Sequence, residues 1–187
     1  MSADRQDGEH PAVRVSVAHT ADLDARMIAA SRALMYEVFD DMTELDWEHA
    51  LGGMHAIATA DGEVVGHASV IQRRLLHGGR SLRAGYVEAV GVRSAYRRAG
   101  VGSALMEPLE RIIRSAFDLG ALGATDDAMP FYGARGWQAW RGPASALTPA
   151  GIVATPDEQG AIYVLASGVA LDVDAELTCD WRDGDVW

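Results

Sequence analysis

The chain contains no lysine. A phosphate loop of the Walker type is therefore excluded, because that loop needs a lysine ammonium against the phosphates. One cysteine, Cys179, permits no internal disulfide, so a reducing, cytoplasmic setting is expected. It alternates with Leu177 and Trp181, the pattern of a buried strand face. No run approaches the roughly 20 apolar residues that a membrane-spanning helix requires. Residues 1–14 are polar and lack the apolar segment of a secretory signal, so a soluble chain with no membrane partner is expected. Positive charge is scarce as well: 16 basic residues stand against 27 acidic ones, for a net charge of −11. That balance argues against nucleic acid, whose phosphates need a basic face, and favours cations. The six histidines, His10, His19, His49, His55, His67 and His77, are scattered without ligand spacing, and no metal is expected.

What is present suits one domain. A chain of 187 residues can bury about 70% of its unfolded surface and needs no staples. Residues 1–12 are expected to be frayed, and 13–187 to form a single domain. Its centre is the stretch 85–117. Tyr86, Val87, Val90 and Val92 give the first part strand character. Val101, Leu105, Leu109, Ile112 and Ala116 then recur at helical spacing. Between them lies a loop with Arg97, Arg98, Gly100 and Gly102. A strand, a glycine-containing loop and a helix N-terminus together make an anion site, since the first helical amides lack partners. A dinucleotide fingerprint does not fit, because Leu105 stands where its third glycine would be. Pro108 inside the helix predicts a kink near residues 104–108.

Elsewhere, Val13, Val15 and Val17 alternate as a strand. Thr20 is positioned to cap a helix reaching about Phe39, with Asp22 and Asp24 in its first turn. The acidic segment 40–47 contains Thr43 and Asp46 at capping-box spacing. Its carboxylates beside Trp47 can equally form a wall for a polycationic ligand. Strands at 55–59 and 64–71 flank Asp61-Gly62, a hairpin pair. Residues 72–83 read as a polar return whose arginines, Arg73, Arg74, Arg80 and Arg83, are solvated. A short buried strand is expected at 119–124, then a helix stopped by Gly136.

Arg97-x-x-Gly100-x-Gly102, directly after a strand and opening a helix, resembles the acetyl-CoA signature of the GCN5-related N-acetyltransferase (GNAT) superfamily. Tyr132-x-x-x-Gly136-Trp137 resembles that superfamily's second motif. The segments 43–49, 51–56, 70–75, 85–88 and 135–137, and above all the tail 179–187, look like those of the aminoglycoside 2'-N-acetyltransferases. The resemblance runs from about residue 15 onward.

It implies an α+β fold of the GNAT type, with a mostly antiparallel twisted sheet of six to seven strands and helices on both faces. It implies acetylation of an aminoglycoside 2'-amine from acetyl-CoA, without metal and giving antibiotic resistance, by a homodimer built through strands near 161–165 and 177–181. Glu88 would take the ammonium's proton through a water, and Tyr132 would protonate the departing thiolate. Val90 and Val92 would pair with the pantetheine arm, while Arg97, Arg98, Ala99, Gly100, Val101, Gly102 and Ser103 would cradle the pyrophosphate. Asp41, Asp46, Glu88, Gly123, Glu158, Asp185 and Trp187 would hold the drug, Trp187 also through a terminal carboxylate. Gly123 replaces a usual serine and Glu158 a usual aspartate. Two alternatives remain: a GNAT enzyme acting on another cationic or peptide amine, and a non-catalytic acyl-CoA sensor.

Overall fold

The computed structural model describes residues 12–187, so the expectation for residues 1–11 lies outside the described residues. The chain opens with β1 (Arg14–His19), α1 (Ala25–Val38) and α2 (Glu44–His49). Asp24 caps α1, its Oδ1 accepting from the Met27 amide at 2.7 Å. Thr20, the expected cap, is instead tied to the Gly52 amide and to His55. At α2 the capping box between Thr43 and Asp46 is complete. A meander follows, of β2 (Met54–Ala60), β3 (Glu63–His77) and β4 (Arg80–Val92). Both of its turns are two-residue turns with positive φ at each position, 48° and 83° at Asp61-Gly62 and 56° and 73° at Gly78-Gly79, the geometry that matches strand twist. The polar return expected at residues 72–83 is thus strand on both sides of a tight turn. Its alternation was hidden because the inward positions include the charged Arg73 and the outward ones the apolar Leu76.

The helix α3 (Val101–Ala116) runs without interruption across Pro108. After it come β5 (Leu119–Gly123), α4 (Met129–Ala134), β6 (Gln138–Ala139), β7 (Ala144–Thr148), β8 (Gly151–Ala154), β9 (Ile162–Ala166) and β10 (Leu177–Asp180). Among the described residues these strands form one ten-stranded sheet, with the path β6-β9-β5-β4-β3-β10-β7-β8 and with β1 and β2 beside β3. That exceeds the expected six to seven. The extra strands are the short β6 and the β7–β8 hairpin, which carry too few residues to show a period.

Helices cover both faces, as expected. On β2, Ala56 and Ala58 pack with Leu105 and Leu109 of α3, whereas Ile57 packs with Leu34 and Met35 of α1. Two glycines on β4 mark the same division. A Cβ at Gly85 would stand 2.8 Å from Ile113 of α3, and one at Gly91 would stand 2.6 Å from Met35 of α1. In a regular strand, residues 85 and 91 would share a face. They do not, because β4 carries an extra residue: His67 pairs with Gly91 and Ser69 with Glu88, leaving Ala89 and Val90 opposite Ala68 alone.

Two histidines lie in this core. His55 and His67 are 1% and 0% exposed, and their rings are hydrogen-bonded to each other. Burial pushes each down from the ordinary 6.5 to about 4. A lowered pKa means that the unfolded chain binds the proton more tightly, so this stability is present above pH 6.5 and is lost as pH falls toward about 4. Two such groups set a slope of up to about 2.7 kcal/mol per pH unit. Urea midpoints measured at pH 7.5 and 5.0 are expected to drop at the lower pH with an unchanged m value; equal midpoints would refute the assignment.

Candidate active site

The site begins where a ladder ends. The parallel pairing of β4 with β5 covers Ala84 with Leu119, Gly85 with Gly120 and Tyr86 with Ala121, and then stops. From Val87 onward, the β5 side of β4 has no strand neighbour, and a cleft of about 410 Å³ opens there. It draws Asp41, Met42, Asp46 and His49 from the α1–α2 region and Tyr86 to Val90 from β4. Gly123 to Thr125, Tyr132 and Glu158 close one side, and Arg182, Asp185 and Trp187 of the tail close the other.

All seven residues expected to bind substrate line this one cleft, together with Tyr132 and Val90. Val92 and residues 97–103 do not. They form the connection from β4 into α3, whose backbone is left-handed at Arg98 and Gly100, with φ of 63° and 82°. No side chain caps α3, so its first amides remain available to an anion. Arg97 donates from Nε to the Val92 carbonyl at 3.0 Å, which fixes the loop. Arg93 is paired with Glu37 at 3.2 Å.

Glu88 is held by a partner that residue patterns did not assign. The Arg182 guanidinium donates from Nη1 to Glu88 Oε1, from Nε to the Asp185 carbonyl at 2.7 Å and from Nη2 to the Trp187 carbonyl at 2.6 Å. Burial raises the Glu88 carboxyl above the ordinary range and the Arg182 charge opposes that rise. Glu158 is raised too, by burial first and then by Asp185. Tyr132 is pushed up to about 12 by burial, so its hydroxyl stays protonated at neutral pH. Trp187 is buried and donates from Nε1 to Thr155 at 2.8 Å. Burial also pushes Cys179 up to about 11, which leaves an inert thiol.

Two expectations need correction. Arg73 is 3% exposed, not solvated: it pairs with Asp180 at 2.8 Å, and its guanidinium lies 4.8 Å from the centre of the Tyr86 ring. The acidic segment divides by role. Asp41 and Asp46 face the cleft, Asp46 while also serving the capping box, whereas Glu44 pairs with Arg32 elsewhere. Trp47 turns into the core against His67 and offers no ring for stacking. Tyr86, His49 and Arg182 also line the cleft, although none of them was expected to take part in the site.

The model of the acetyltransferase (GNAT) family matches residues 22–137. A curated aminoglycoside 2'-N-acetyltransferase from Mycolicibacterium fortuitum is 48% identical over 174 residues, covering 90% of this chain and 89% of that protein. Among solved structures, the GNAT family N-acetyltransferase YhbS from Escherichia coli, in complex with CoA, aligns with a TM-score of 0.63 at 17% identity over 92% of each chain. An acyl-CoA N-acyltransferase from Pseudomonas aeruginosa aligns with a TM-score of 0.59 at 20% identity, over 83% of this chain and 100% of that one. These two share the fold.

The Tyr86 hydroxyl is buried without a hydrogen-bond partner among the described residues. A Cβ at Gly123 would stand 3.8 Å from it, and that hydroxyl is the nearest group it would meet. Gly123→Ser is therefore expected to give Tyr86 a partner worth about 1 kcal/mol, seen as a melting temperature about 2–4 °C above that of Gly123→Ala. The difference should vanish when Tyr86 is replaced by Phe; a difference that persists there would sink the pairing.

Proposed function

Because the chain belongs to the GNAT acetyltransferase family, and within it to the aminoglycoside 2'-N-acetyltransferases, we propose that it moves an acetyl group from acetyl-CoA to the 2'-amine of an aminoglycoside. The observation that carries the proposal is the meeting of Asp41, Asp46, Glu88, Glu158 and Asp185 in one cleft, at the end of the β4–β5 ladder. An aminoglycoside bears several ammonium groups and little apolar surface, so charge-assisted hydrogen bonds to carboxylates are what recognise it.

The residues present fit the acetyl donor. The edge of β4 at Val90 and Val92 that β5 leaves unpaired offers backbone groups to an amide-bearing arm, as an added strand would use them, with the Val92 carbonyl already shared with Arg97. The left-handed turns at Arg98 and Gly100 and the uncapped amides of Val101, Gly102 and Ser103 suit a diphosphate, with Arg97, Arg98 and Ala99 completing the loop. Bound there, acetyl-CoA supplies a thioester for direct transfer. Glu88 takes the proton from the 2'-ammonium through one water, which leaves a neutral amine to attack. Tyr132 returns a proton to the thiolate as it departs, and amide and free coenzyme leave. The carboxylates keep the drug's other ammonium groups in register. Inactivation of drug in this way confers antibiotic resistance, in the cytoplasm where acetyl-CoA is made.

We place a homodimer on the β7–β8 hairpin. β10 is already paired on both sides, by β3 and β7, and β9 lies between β5 and β6. The outer strand β8 ends the sheet path, and Leu147, Ile152 and Val153 around it are 44%, 58% and 49% exposed, an edge that isolated proteins normally protect. Light scattering on Ile152→Asp should show a monomer where the parent is a dimer; a parent that is monomeric removes the proposal.

Thiol release from acetyl-CoA is expected with tobramycin, not with an analogue lacking the 2'-amine, and not without acceptor. Release with the analogue would indicate another amine, and no release under any of the three conditions, alongside CoA binding, would indicate a sensor. Glu88→Gln should lower kcat by about 10²-fold or more and Tyr132→Phe by at least about tenfold. Full turnover in either variant removes that residue's role.

A further inference from the structure

Where β4 carries its extra residue, side chains of β3 reach the carbonyls of Glu88 and Ala89. Ser69 Oγ donates to the Glu88 carbonyl at 3.4 Å, and His67 Nδ1 lies 2.9 Å from the Ala89 carbonyl. Behind His67 the bonds continue: its Nε2 lies 2.9 Å from His55 Nδ1, and His55 Nε2 lies 2.7 Å from Thr20 Oγ1. The carbonyl end gives the chain its direction. A carbonyl only accepts, so His67 carries its proton on Nδ1 and a neutral ring must accept at Nε2. His55 therefore donates from Nδ1 and accepts at Nε2 from the Thr20 hydroxyl, whose other acceptor, the Gly53 carbonyl, is farther at 3.2 Å and already bonded by the Thr20 amide; the hydroxyl in turn accepts from the Gly52 amide at 2.8 Å. Both rings are buried and neutral.

Ala89 needs such a hold. Its φ of 50° is left-handed, a conformation that costs a residue with a Cβ roughly 1–3 kcal/mol. The strain has a geometric result. Val87 packs on the α3 side, while Ala89 packs with the α1 cluster and Glu88 enters the cleft beside Asp41 and Asp46 on that same side. Neighbours in sequence thus share a face.

We infer that His67 is a positioning residue for acetyl transfer: through Thr20 and His55 its proton is committed to the Ala89 carbonyl, and that bond pins the left-handed residue directly after Glu88, fixing the backbone from which Glu88 enters the cleft. The inference rests on Glu88 being the base. His67 touches neither reactant; it acts through the backbone beside Glu88. Ser69 is the lesser support, being longer.

Three measurements test it. Nitrogen-15 NMR of the histidine-labelled enzyme at pH 7.5 should show His55 and His67 as Nδ1–H tautomers with unprotonated Nε2. His67→Leu, which removes the donor, should lower kcat by about tenfold or more while both KM values stay within about twofold. His67→Asn keeps an N–H at the Nδ1 position and should recover most of that loss. An Nε2–H tautomer at His67, a wild-type kcat in the Leu variant, or an Asn variant as impaired as the Leu variant would each overturn the inference. The tautomer measurement needs no substitution, so it decides even if the Leu variant does not fold. Full turnover by Glu88→Gln, with the histidine results as expected, would refute the base assignment alone and leave the pinned bulge standing.

Discussion

Parallel strands rarely part company inside a sheet, because each residue of separation leaves an amide and a carbonyl without partners. Here β4 and β5 separate after Tyr86 and Ala121, and the rest of the site depends on that parting. It opens the cleft and leaves the β4 edge able to receive an extended ligand. It also sets the end of β5, with Gly123, against the carboxylates that come from elsewhere. The separation is sustained from the other side of β4. There the bulge at Ala89 and Val90 shifts the register with β3, and side chains of β3 bond the carbonyls of Glu88 and Ala89. Two interruptions of regular hydrogen bonding on opposite edges of one strand therefore produce one opening, in a core otherwise closed by Leu105, Leu109 and Ile113 on one face and Leu34 and Met35 on the other.

Much of this was legible in residue order. Val101, Leu105 and Leu109 announce the amphipathic α3, though its buried face continues through Ile113 and not through the expected Ile112 and Ala116; Asp61-Gly62 announces its hairpin, and the capping box at Thr43 and Asp46 is present as read. The acidic residues of the cleft were found through the likeness of the tail and of the segment before β2, not through any period. What escaped notice had physical reasons. Arg73 sits in an arginine-rich strand and looks solvated, yet Asp180, 107 residues away, draws it inward. Thr20 precedes a helix and reads as its cap, but the loop at Gly52 and Gly53 reaches its hydroxyl from across β1 and β2. Short strands such as β6 and β8 are defined by their partners, and no local pattern distinguishes them from loop.

The bulge shows the same limit most clearly. Nothing in Glu88-Ala89-Val90 marks a residue out of register, since alanine has no preference for positive φ. The signal lies in β3, where His67 and Ser69 supply polar side chains on a strand whose neighbours Val65, Ala68 and Val70 are apolar. Buried polar residues opposite a break in pairing mark the place where backbone groups need help.

The charge on Glu88 adds a further step. A carboxylate that has lost its water favours the neutral form, and a neutral acid cannot take a proton. Arg182 opposes that tendency, but Arg182 belongs to the tail, 94 residues from Glu88. Its remaining bonds go to carbonyls of Asp185 and Trp187, and those residues are anchored in turn, Trp187 by Thr155 and the strand before them by Arg73 on Asp180. Docking of the tail thus brings Arg182, which favours the ionised form of Glu88, together with Asp185, which disfavours it. A cationic acceptor entering the cleft meets the same carboxylate that Arg182 already holds. The acceptor's ammonium must share Glu88 with the guanidinium, and surrounding acids at Asp41, Asp46, Glu158 and Asp185 make that sharing favourable, because each added cation lowers the repulsion among them. An excess of negative charge in the cleft thus lets Glu88 keep its arginine while leaving room for the proton-accepting role proposed for it.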